Sequence, residues 1–409
     1  MAASRLRLTS RRLRFGLLAV VACAITAGNS LSTVATGDYT VHGPVEGDNA
    51  GPAINALLHG DIAGYLAHQP VIGLTSILLR VPFAGLASLL GGGALLTYRL
   101  GSLVCLLSLG LFAAWLMTRR RSDFVGWLPG FGAAVFLVVS PAVRDAVTGG
   151  HPEDVLAAVL STCAVIAATR GQTRWAAVMI GAATGAKPWA AVAVPPVLVA
   201  MRGERVRGAV IASAVAIPLA GAGPLGNLSA FVRSMHQVDA TRLVNPFSFW
   251  WPLSSPVHLA SGVLAPARLL PLAMTRSMAS AIGVSVALGL LALGWIHARR
   301  RDGACEPLAL LALLGVARCA VDPTHLPYYY LIVLIPLAAW EAVGLGRAPL
   351  LTGVVTVAVW LMPIGVQHVS PYVLSAFSIV GTAALSAYLA HRAFHPMGHR
   401  PAAVTRPHG

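Results

Sequence analysis

The chain has 409 residues, of which 56% are hydrophobic and 11% charged, and its mean hydropathy is +0.74. An ordinary soluble domain is about 25% charged, so this composition excludes a water-soluble fold. The formal charge of +15 would suit nucleic acid in a soluble protein. Here the arginines gather in short gaps between apolar stretches, where they orient helices in a bilayer, and no nucleic-acid partner is expected.

Arg5, Arg7, Arg11, Arg12 and Arg14 precede an apolar run over 15–34. No small-residue cleavage site follows, so the run predicts a retained first helix with a cytoplasmic N-terminus. A first outer loop, 35–96, comes next and carries short helices lying against the membrane. A helix over 97–117 returns to Arg119, Arg120 and Arg121, and another over 124–142 leads out to the segment from Arg144 to Asp154. The next helix comes back to Arg170 and Arg174. Only residues 175–200 then separate two basic gaps of the same side, so the sequence predicts a re-entrant pair of half-helices hinged at Lys187-Pro188-Trp189. A helix over 207–222 exits to a second outer segment, 223–275, whose aromatic run from Asn245 to Pro252 suits a membrane interface. Helices at 277–297, 306–321, 326–343, 349–366 and 371–390 finish the chain before a basic cytoplasmic tail. The expected fold is all-α: a polytopic membrane helical bundle of about ten crossings plus the re-entrant pair, one integral membrane domain over 1–409.

Nine of the fourteen acidic residues fall on the outer side of this map: Asp38, Glu46, Asp48, Asp61, Asp145, Glu153, Asp154, Asp239 and Asp322. An acid in the first loop can act as general base toward an attacking hydroxyl, or can simply solvate the loop. The sole lysine, Lys187, stands between apolar half-helices, where it can bind an anionic headgroup, pair with a nearby acid, or snorkel to the interface. His151 precedes Pro152, Glu153 and Asp154, a pattern that also suits a helix start. The segment from Arg318 through Asp322 and His325 to Tyr328, Tyr329 and Tyr330 puts a cation, an acid, an imidazole and three tyrosines at one boundary. Arg318 can hold a phosphate, His325 can hydrogen-bond or protonate it, and the tyrosines can face a sugar or a lipid; an aromatic belt around an ion pair is the other reading. Five scattered cysteines have neither zinc nor redox spacing.

These features together resemble the GT-C membrane glycosyltransferases, and more narrowly glycosyltransferase family 87, the polyprenol-phosphate-mannose-dependent mannosyltransferase-like proteins of actinobacteria. The resemblance rests on the acidic first outer loop, Gly149-Gly150-His151-Pro152-Glu153-Asp154, Gly185-Ala186-Lys187-Pro188-Trp189 and the stretch from Asp322 to Tyr330. It implies inverting transfer of a sugar, with mannose the implied one, from a polyprenyl-phosphate donor to a glycolipid or glycan hydroxyl at the outer face of a bacterial plasma membrane. Asp48 is the best positional match for the family's base, with Glu46 and Asp38 as competitors. Lys187, Arg318 and His325 would stabilise the leaving phosphate, with Asp322, His151, Tyr328 and Tyr329 around the substrate. No cofactor is implied, and metal use is left open because the first loop has no adjacent acidic pair. A transporter or lipid-linked-sugar flippase is the alternative, since intramembrane charges beside broken helices also mark transport paths.

Overall fold

The computed structural model describes residues 2–32, 50–67, 69, 72–118, 124–201, 203–239, 243–258, 264–271, 274, 278 and 305–395. Helix α1 (Ala2–Leu31) is followed by α2 (Gly51–Leu58), α3 (Ile62–Ala67) and α4 (Leu74–Leu89), which lie in the first long loop, and by α5 (Ala94–Thr118). Small residues let α1 and α5 approach closely: Ala19 and Ala22 pack on Ala113 and Ala114, and a Cβ at Gly110 would stand 2.6 Å from the Cys23 α-carbon.

Next come α6 (Phe124–Val138) and α7 (Pro141–Thr148). The Ser140 hydroxyl accepts the Ala142 N–H at 3.3 Å and Pro141 fills the first turn, so the chain restarts as a helix where the sequence predicts outer loop from Arg144. Helix α8 (Pro152–Thr169) is the most enclosed of the long apolar spans. Helix α9 (Thr173–Ala186) stops at Lys187, whose backbone is extended (φ −143°, ψ 129°), and a 3₁₀ turn (Pro188–Ala193) leads into α10 (Val194–Ala200). The proline following Lys187 disfavours helical backbone there and removes an N–H, which is the cause of the break.

Helices α11 (Arg205–Gly226) and α12 (Leu228–Asp239) precede three short strands, β1 (Leu243–Val244), β2 (Ser255–His258) and β3 (Leu264–Leu269), antiparallel in the order β1-β3-β2. No strand is predicted here by the sequence, because two to six residues interrupted by prolines carry no period-two pattern. Trp250 and Trp251 are buried against Val244 and Leu270. The chain ends in α13 (Pro307–Val321), a 3₁₀ turn (Pro327–Tyr330), α14 (Leu331–Ala339) continued by a π-helical turn (Trp340–Leu345), α15 (Leu350–His368) and α16 (Pro371–Phe394). Buried Glu341 accepts the Leu351 and Thr352 N–H groups and the Thr352 hydroxyl, which caps α15 from outside the helix.

Among the described residues seven helices are long and apolar enough to cross a membrane, and four more apolar helices are shorter. The architecture is an all-α polytopic membrane bundle. The predicted helix at 277–297 lies, apart from one residue, outside the described residues.

Candidate active site

The site is assembled where α4, α8, the α9 break and α13 meet. Glu153 and Asp154, in the first turn of α8, are both buried. Lys187 Nζ lies 2.9 Å from Glu153 Oε1 and 3.2 Å from Asp154 Oδ2. Arg80, from α4 and also buried, reaches Glu153 Oε2 at 3.7 Å and passes over the Tyr98 ring. His151 Nδ1 is 3.4 Å from Glu153 Oε1. Two cations thus face two carboxylates in a low-dielectric setting, where each charge needs the others.

His151, Glu153 and Asp154 each offer a ligand atom within 4.8 Å of one another. The Lys187 ammonium contacts both carboxylates, where a divalent ion would have to bind, so this trio as built does not fit a metal. Close backbone contact fixes the lysine: Gly73, at the start of α4, donates its N–H to Ala186 O at 3.1 Å, and a Cβ at Gly73 would be 2.0 Å from Gly185 O. Only glycine permits that approach.

Asp154 Oδ1 also accepts the Trp189 indole N–H at 2.5 Å. The opposite use of Trp189 is cation–π: the Arg318 guanidinium stands 5.1 Å from its ring centroid and 4.4 Å from that of Tyr329. Held between two rings, Arg318 keeps Nη1 without a hydrogen-bond partner. Tyr328 is fixed by its N–H, which donates to Asp145 Oδ2 at 3.1 Å, and its ring lies 5.1 Å from His151. Asp322 Oδ1 accepts both the N–H and the hydroxyl of Thr324, whose oxygen is 3.2 Å from the Tyr329 hydroxyl.

His325 has φ +39°, a backbone conformation uncommon for any residue but glycine. Asn245 holds it there: its side-chain amide donates to the carbonyls of Thr324 and, at 2.8 Å, of His325. Ser248 Oγ donates to Asp322 O, and the Trp250 indole donates to Val321 O at 2.6 Å. The aromatic segment therefore buttresses the turn that carries the imidazole. His325 Nε2 is 2.9 Å from the Tyr330 hydroxyl.

His325 lies in the turn between two apolar helices, and its burial pushes the imidazole from 6.5 down to about 4. The imidazole is neutral at pH 7 and acts there by hydrogen bonding. The unfolded chain takes up this proton near its ordinary value and the folded protein only near 4. Stability is therefore complete above the ordinary value and falls as the pH drops toward 4. His325→Asn should flatten that acid limb by ~3 kcal/mol, read from unfolding midpoints of purified protein between pH 7 and pH 4. An unchanged limb would assign it to another group.

Of the residues predicted from sequence, His151, Lys187, Arg318, Asp322, His325, Tyr328 and Tyr329 fall into one connected set. Asp38, Glu46 and Asp48 lie outside the described residues. Sequence reasoning gave no site role to Arg80, Asp145, Trp189 or Asn245. The charge of Arg80 inside an apolar stretch was a usable signal; the other three are defined by partners far along the chain.

No curated protein and no solved structure matches the chain. The model of glycosyltransferase family 87 matches residues 73–323, a stretch that runs from the α4 glycine docked on the hinge to the proline after Asp322, and so takes in Arg80, the carboxylate pair, Lys187 and Arg318. On that match the chain belongs to glycosyltransferase family 87.

Proposed function

We propose that this membrane glycosyltransferase carries out an inverting transfer of a sugar, mannose being the implied one, from a polyprenyl-phosphate donor to a lipid- or glycan-linked hydroxyl at the outer face of a bacterial plasma membrane. The observation that carries the reading is Arg318, a guanidinium gripped by Trp189 and Tyr329 with one nitrogen unspent, beside the His325–Tyr330 pair. A planar cation held between two rings suits the charge of a departing phosphate. His325, neutral at pH 7, adds a hydrogen bond, and His151, Tyr328 and Tyr329 border the sugar. Lys187 is committed to Glu153 and Asp154, so its part is to hold the carboxylates and the hinge in place.

Direct displacement needs a base on the face of the sugar opposite the phosphate. Asp48 fills that role by family resemblance, with Glu46 and Asp38 as competitors. The test is transfer from radiolabelled polyprenyl-phosphate-mannose in membranes holding equal amounts of folded wild type and Asp48→Asn. Wild type should form a labelled glycan product, and Asp48→Asn should lower its rate by about 100-fold or more. Equal rates would move the base to Glu46 or Asp38. Label crossing liposomes without covalent product would replace transfer by transport.

A further inference from the structure

Helices α15 and α16 are joined only by Val369 and Ser370, and helices linked so closely ordinarily pack along their length. These two touch near the link, where a Cβ at Gly365 would stand 2.8 Å from Leu374 Cδ2, and then part. A groove of 490 Å³ opens between them, walled by Val355, Ala358 and Met362 of α15, Gly381 and Leu385 of α16, and Val316 of α13. Small residues on facing helices usually draw the backbones together, yet a Cβ at Gly381 would meet nothing within 4 Å. Close packing leaves no void of this size empty, so the groove has an occupant.

Its dimensions and chemistry fit one lipid chain. At ~30 Å³ for each water-sized group, the groove holds about sixteen of them. From Leu351 to Met362 its wall runs about 16 Å at 1.5 Å per residue, about half of a ~30 Å hydrocarbon core. The hydroxyls on the wall are engaged inside the protein. Ser378 donates to Phe247 O at 2.8 Å, Thr382 pairs with the Tyr330 hydroxyl, which also lies 2.9 Å from His325 Nε2, and Tyr388 accepts from Arg347 Nη2 at 3.0 Å. An occupant therefore finds no polar partner along the groove, which selects hydrocarbon over a sugar or a peptide.

The two ends differ. Toward Tyr330 the walls are Phe247, Leu374 and Phe377, and the imidazole behind them is fully buried. The Tyr388 end meets Arg347, whose side chain is 42% exposed. Its Nη2 serves Tyr388 and Glu341, while Nε and Nη1 make no hydrogen bond among the described residues. Arg392 stands close by, since both guanidiniums lie against the Trp340 ring, at 5.8 Å and 5.7 Å from its centroid. The carboxylates here are engaged, Glu341 by the α15 N–H groups and Glu306 by Arg392. A phosphodiester suits the open fork of Arg347, and basic pockets between membrane helices take anionic lipid headgroups. We propose that the α15–α16 groove binds one anionic phospholipid, an acyl chain along the groove and its phosphate on Arg347. Val316 and Arg318 lie two residues apart on α13 and so face opposite sides of it; the lipid site is separate from Arg318 and does not rest on the sugar-transfer reading.

The experiment is native mass spectrometry of the purified full chain in maltoside, delipidated and then titrated with palmitoyl-oleoyl phosphatidylglycerol or phosphatidylcholine. Wild type should retain one phosphatidylglycerol. Gly381→Leu fills the groove from a position where a side chain has room, and Arg347→Gln removes the charge at its mouth. Each should weaken retention about fivefold or more. Gly381→Leu leaves Arg347 and Glu341 untouched, so it decides the matter alone if Arg347→Gln does not fold. No lipid on wild type, equal retention by wild type and Gly381→Leu, or phosphatidylcholine held as tightly as phosphatidylglycerol would each overturn the proposal. A polyprenyl phosphate retained through purification and displaced by Gly381→Leu would also overturn it and give the groove to the sugar donor.

Discussion

Arg318→Met should lower sugar transfer by ~10²–10³-fold, the usual cost of deleting one donor aimed at developing negative charge. Methionine keeps the bulk between Trp189 and Tyr329, so the two rings stay apart and the fold is retained. The loss should fall on kcat more than on KM for the donor, because charge on the phosphate grows as the glycosidic bond breaks. Arg318→Lys restores charge without the planar fork and should recover part of the rate. A loss confined to KM in Arg318→Met would show that the guanidinium binds the ground state alone. Full activity would remove Arg318 from the chemistry.

Lys187→Met should be the most destabilising single change in the site, by ~3–5 kcal/mol, because it leaves two buried carboxylates facing one another with Arg80 as the main counter-charge. Asp154→Asn added to it should restore much of that stability. The amide oxygen can still accept the Trp189 indole, and Glu153 keeps its Arg80 partner. Denaturation of purified protein in detergent gives the three values needed for the coupling. Additive effects, with no recovery in the double variant, would mean that water already screens the lysine from Asp154.

The membrane bundle was legible because its signals are local. Each span is a run of apolar residues, each arginine cluster marks a gap, and the Lys187-Pro188 break announces itself through the proline. The site was legible only as a set of residue types. Glu153 and Asp154 read as ordinary helix-start acids, since nothing near them in sequence names Arg80 or Lys187 as partners. Asn245 looked like part of an aromatic stretch, yet its amide secures the backbone of His325, eighty positions away. Pairings at that separation are decided by how helices pack, and no periodicity encodes them. The small sheet was lost for the same reason, its strands being too short to show alternation.

The ion cluster also bears on how the protein is made. Synthesis proceeds from the N-terminus, so Arg80 emerges first, Glu153 and Asp154 follow, and Lys187 comes last. A buried ionised side chain without its partner is costly. Until the lysine 34 positions beyond Glu153 arrives, the first turn of α8 carries one carboxylate more than Arg80 can neutralise. The arrival of the α9 break beside α8 pairs the last carboxylate and ties the hinge to the helix that precedes it.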